Sequence, residues 1–67
     1  MKSFITKKIG KYELCLVSGW VGNEHKVLFF RDSKMNNVYD YGMLPNDQAN
    51  KQFDSINKLP IELRKGL

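Results

Sequence analysis

The segment ELCLVSGWVGNEHKVLFFR, residues 13–31, constrains this chain more than any other. Two runs rich in β-branched and aromatic residues, 12–21 and 24–31, flank Gly22-Asn23. That pair suits a two-residue hairpin loop of type II′, because glycine tolerates the positive φ of the first loop position. Such a loop sets Val21 opposite Glu24, Trp20 opposite His25, Leu16 opposite Phe29 and Cys15 opposite Phe30. Side chains alternate along a strand, so one face carries Tyr12, Leu14, Leu16, Ser18 and Trp20 beside His25, Val27, Phe29 and Arg31. The other face carries Cys15, Val17 and Val21 beside Leu28 and Phe30. A slip of one residue exchanges one strand's contributions and leaves both faces apolar. Both sides of this hairpin therefore need cover.

The rest of the chain offers limited material for it. Residues 2–8 read as a first strand anchored by Phe4 and Ile5, followed by a turn at Gly10-Lys11. Residues 32–37, DSKMNN, form a polar turn, and 38–42, VYDYG, a short fourth strand with Tyr39 and Tyr41 on one side. Pro45-Asn46-Asp47 opens a helix with Asn46 or Asp47 as its cap, and Ala49, Phe53 and Ile56 recur at helical spacing as one apolar stripe. Leu59-Pro60 stops that helix, since proline has no N–H and restricts the residue before it. Residues 61–65 add one more turn with Pro60 at its start. The expected fold is α+β, one domain over residues 1–67: an antiparallel β-meander of roughly three to four strands, one C-terminal α-helix and a short helical turn.

A single helical stripe covers one face of a sheet. A chain of 67 residues hides only roughly 60% of the surface its unfolded form exposes, so small domains recruit disulfides, metals or partners. Cys15 is the sole cysteine and forms no internal disulfide, and with His25 it makes no metal-ligand spacing. The second face is thus expected to be buried against another chain, in a homodimer through Cys15, Val17, Val21, Leu28 and Phe30. A last turn with Ile61, Leu63 and Leu67 caps at most part of it. The competing arrangement is a strongly twisted sheet that wraps both apolar sets inward.

The opening MKSFITKKIGKYE has neither the apolar core nor the cleavage site of a signal peptide, and no apolar run is long enough to span a membrane. A lone cysteine suits a reducing cytoplasm, and the chain reads as a complete small reading frame. The net charge is +4, drawn from Lys2, Lys7, Lys8 and Lys11 at one end and Lys58, Arg64 and Lys65 at the other. That sign suits nucleic acid or an acidic protein surface and disfavours mimicry of DNA.

Catalytic groups do not gather. His25 lacks a tuning partner beyond Glu24 or Asp40, and Cys15 sits mid-strand among apolar neighbours. The carboxylates are scattered singly, and the glycines make no phosphate-cradling loop. The chain is therefore expected to be no enzyme and to need no cofactor or metal. The leading expectation is a protein-binding module, an inhibitor or adaptor of the kind phages and mobile elements carry, occluding a host protein through Trp20, Arg31, Tyr39 and Tyr41. The alternative is a small nucleic-acid binder placing Lys7, Lys8, Lys11, Lys26 and Arg31 on phosphates beside sheet aromatics. Against it, KVLFFRD lacks the glycines of the ribonucleoprotein motif.

Overall fold

A computed structural model describes residues 3–20 and 22–64. Four strands, β1 (Ser3–Ile9), β2 (Tyr12–Ser18), β3 (His25–Arg31) and β4 (Asn37–Pro45), form an antiparallel sheet in the order β1-β2-β3-β4. Helix α1 (Asn46–Ser55) and the short α2 (Ile61–Arg64) follow. This is the α+β meander the sequence implies. No described helix is long and apolar enough to cross a membrane.

The β1–β2 hairpin is the tight one. Ile9 faces Tyr12, so Gly10-Lys11 is a two-residue loop. Gly10 sits at φ +63°, and Lys11 is not among the residues with positive φ, which is the type II′ pattern. Leu59 packs directly above this glycine.

The β2–β3 register differs from the expected one by one residue. Cys15 faces Phe29, Leu16 faces Leu28 and Leu14 faces Phe30, and pairing stops at Ser18 with Lys26. The connection spans residues 19–24 instead of Gly22-Asn23 alone, and Val21 lies outside the described residues. The longer loop is tied down at its far end, where the Asn46 N–H donates to the Glu24 carbonyl at 3.0 Å. The Asn46 side-chain amide also donates to the Asn23 carbonyl at 2.8 Å. Asn46 is thus spent on the loop and makes no cap. The residue at the N-cap position is Pro45, with no side-chain cap bond, so the expected cap at Asn46 or Asp47 is corrected.

The changed register regroups the side chains. Leu14, Leu16, Leu28 and Phe30 now share one face, all at most 1% exposed, and pack with Ala49, Leu59 and Leu63 into the main core. Phe53 and Ile56 of the predicted helical stripe join them. Burying each large side chain of this group contributes about 1.5–3 kcal/mol. Leu28 and Phe30 are therefore under the helix, not beside Cys15 and Val17 as the two-residue loop required. Leu63 packs on this same core, so the last turn caps the helix side and not the second face. Leu67 lies outside the described residues.

β4 runs to Pro45, well beyond the expected 38–42, and is irregular. Leu28 faces Gly42 while Phe29 faces Asp40, leaving Tyr41 as an extra residue in a bulge. Gly42 takes φ +85° there, and its N–H donates to Asp40 Oδ1 at 2.7 Å. α1 ends at Ser55, with Ile56 already extended, ahead of the Leu59-Pro60 break. Pro60 then accepts the first bonds of α2 from Leu63 and Arg64.

Candidate interaction surface

The face of the sheet away from α1 is where the sequence left its question. It carries Phe4, Thr6 and Lys8 from β1, Glu13, Cys15 and Val17 from β2, Val27, Phe29 and Arg31 from β3, and Met43 from β4. No helix lies on it among the described residues. Even so, Cys15 and Val17 are 0% exposed and Phe29 only 4%. The expectation that this face stays wet in a single chain is corrected.

Phe4 supplies much of the explanation. Its ring meets Phe29 edge-on, with centroids 6.5 Å apart, across the intervening β2. Phe4 is the cross-strand partner of Val17, and Phe29 that of Cys15, so the two rings bridge the strand that holds both small residues. The Arg31 guanidinium lies 5.0 Å from the Phe4 centroid, a cation–π contact, and its Nε donates to Glu13 Oε1 at 3.1 Å. The result is a small second core beneath a ring and an ion pair. Burial raises the Cys15 thiol pKa; nearby Arg31 lowers it and Glu13 raises it, both less than burial does. The thiol is neutral and enclosed, which is the wrong state for a nucleophile.

Around that second core the surface is apolar and open. Phe4 is 46% exposed and Met43 56%. Trp20, in the β2–β3 connection, is also half exposed.

The residues expected to bind a partner do not converge. Arg31 belongs to the helix-free face. Tyr39 and Tyr41 pack against the main core on the opposite face, ring to ring at 5.1 Å, and burial raises the Tyr41 pKa, with Tyr39 and Glu62 adding to the shift. Trp20 sits in the loop. The expected phosphate-binding cations divide in the same way. Lys7 reaches the helix side, over the Phe53 ring at 4.9 Å and toward the Asp54 carbonyl. Lys26 donates to Asn50 of α1 at 2.8 Å. Lys8 and Arg31 lie on the other face. Lys11 stands over Tyr12 at the hairpin tip, where it lines with Lys8, Tyr12, Asp32, Ser33 and Val38 an open cleft of about 370 Å³. Among the described residues no three histidine, cysteine or carboxylate groups are placed to hold a metal ion. Asp40, one of the two carboxylates considered beside His25, sits at a different rung of the β3–β4 ladder and is engaged with Gly42.

Two residues of this surface were missed from the sequence. Phe4 reads as a strand anchor, and only the register reveals that it stands opposite Val17 and reaches the Phe29 ring across β2. Met43 falls beyond the expected end of the fourth strand. The usable signal for Phe4 was its period-two relation to Lys8 and the absence of a second helix to cover it. The chain matches no known family, no curated protein and no solved structure.

Proposed function

We propose that this chain is a non-enzymatic protein-binding module that occludes a host protein stoichiometrically, with the helix-free sheet face as its contact surface. The observation that carries the reading is the exposure of Phe4 and Met43 around an already buried Cys15–Val17–Phe29 cluster. An apolar rim on a rigid, pre-packed floor suits association, because little ordering cost remains to be met on binding. Arg31, stacked on Phe4 and paired with Glu13, adds a hydrogen-bonding group of a type enriched at interface centres. This mode of action fits the small inhibitors and adaptors of phages and mobile elements, and a buried free thiol suits a reducing cytoplasm.

The nucleic-acid reading has less support. Phe29 is too buried to stack a base, the Phe4 ring already carries Arg31, and Glu13 and Asp40 share the face. Its lysines point to two sides of the sheet.

The test is affinity capture from host lysate, with and without nuclease, using the wild type, Phe4→Asp, Met43→Asp and the helix-surface control Gln48→Asp. The expected result is a protein retained by the wild type and the control and lost with both face variants, insensitive to nuclease. Retention that ignores both face variants overturns the reading. A gel shift with oligonucleotides decides the alternative, where a complex surviving at about 0.15 M salt would favour phosphate binding.

A further inference from the structure

The two edges of this sheet are not alike. β4 breaks its ladder at two register shifts, takes a positive φ at Gly42, ends in Pro45 and packs against α2. These are the devices that keep an edge from pairing with another chain. β1 has none of these, and its guards against pairing are only Lys7 and Lys8. It pairs with β2 through seven consecutive partners without a shift, contains no proline or glycine, and nothing among the described residues pairs with its outer side. α1 packs on β2, β3 and β4 and approaches β1 through the Lys7 side chain. Ser3, Phe4, Ile5 and Thr6 are all exposed, with Phe4 at 46% and Ile5 at 50% on opposite faces.

Charge selects the occupant. β1 carries Lys7 and Lys8, Lys11 follows in the turn, and the chain has no acid before Glu13. A second copy of β1 laid along this edge brings no carboxylate to either lysine. We infer that the outer edge of β1 takes an extended acidic segment of a partner protein as an added strand, its apolar side chains meeting Phe4 and Ile5 and its carboxylates meeting Lys7 and Lys8. This rests on the protein-binding reading above and names the partner's chemistry. Main-chain hydrogen bonds along the free edge supply affinity in such a pairing, and the alternating side chains supply selectivity.

The probe is a short capped peptide in which valine alternates with aspartate, compared with its valine–lysine counterpart, titrated into the full chain. Binding of the acidic peptide alone, with slowed hydrogen exchange at the Ser3–Ile9 amides, supports the inference. Lys8→Glu and the double variant Lys7→Glu/Lys8→Glu, both checked for folding, are expected to weaken it by about tenfold or more and to admit the lysine peptide. Unchanged exchange in β1, or binding indifferent to the charge reversals, overturns it. So does concentration-dependent dimerisation of the free chain that the reversals abolish, since the edge then belongs to a second copy. Met43→Asp separates the two readings: if capture from lysate depends on Met43 and not on Lys7 or Lys8, the face stands and the edge falls.

Discussion

The rings of Phe4 and Phe29 meet edge-on at 70°, centroids 6.5 Å apart, although β2 runs between their backbones. Cys15 and Val17 lie on that strand, fully enclosed. A half-exposed residue on an edge strand thus reaches the ring that stands beside the protein's one thiol.

Phe4→Ala is expected to open that aromatic contact without unfolding the chain. The aromatic pair and the partial burial of Phe4 are together worth about 1–1.5 kcal/mol. Cys15 should then react with a thiol reagent about tenfold faster under native conditions. The rate is measured against the fully denatured chain, with circular dichroism confirming the fold. An unchanged rate would assign the burial of Cys15 to other side chains.

Gly10→Ala should destabilise the protein by about 1–2 kcal/mol. Two causes coincide: φ is +63°, and an added Cβ would stand 3.2 Å from Leu59 Cδ1. Urea denaturation reads the loss as a lower midpoint at unchanged slope. Pairing the change with Leu59→Val separates the two causes, since only the steric share is relieved by the smaller side chain.

Met35→Gly is expected to act in the opposite direction. Met35 adopts φ +68° in the β3–β4 turn and is 65% exposed, so it contributes backbone strain and little packing. Its N–H donates to the Asp32 carbonyl at 3.1 Å, and Asp32 N–H donates to the Asn36 carbonyl, which closes a turn whose left-handed position ordinarily falls to glycine. Relief of strain, less the entropy glycine adds to the unfolded chain, should stabilise by about 0.5–1 kcal/mol. A fall in the denaturation midpoint would contradict this.

The same turn sets a pH dependence. The Asn36 and Lys34 N–H groups donate to Asp32 Oδ1, both at 2.9 Å, and these bonds hold its carboxyl pKa below the ordinary value, Asn36 contributing most. A depressed folded-state pKa means that the unfolded chain takes up the proton first. The contribution of Asp32 is therefore complete above about pH 4 and is lost as pH falls through the lower folded value. Asp32→Asn keeps the shape and removes the charge, so the stability gap between wild type and variant should narrow on acidification. A gap independent of pH would show that shape alone holds the turn.

Much of the fold was legible because it rests on local chemistry. The glycine of the Gly10-Lys11 turn, the Ala49–Phe53–Ile56 stripe and the proline after Leu59 each act within a few residues of themselves. The candidate surface was not legible in this way. Trp20, Arg31, Tyr39 and Tyr41 are the residue types that interfaces favour, yet the fold sends them to a loop and to opposite faces. Phe4 and Met43 are brought to one face by the fold; alternation along β1 marks only that Phe4 shares a side with Lys8, and Met43 lies past the expected end of its strand.

By itself the sequence determined that strands come first along the chain and a helix follows, and that both sides of the central hairpin are apolar. The order β1-β2-β3-β4 within the sheet came from the tertiary structure. The sequence also left open which residues of β3 share a side with Cys15. With period-two alternation, both neighbouring registers put apolar residues on both faces, so the local pattern scores them alike. Only the tertiary structure separates them. The observed register gathers Leu14, Leu16, Leu28 and Phe30 under α1, while Asn46 binds Asn23 and Glu24 and holds the longer loop in place. The smaller Cys15 and Val17 are left on the other face with Phe29, whose ring meets Phe4, because close packing under a helix rewards grouping the large side chains together.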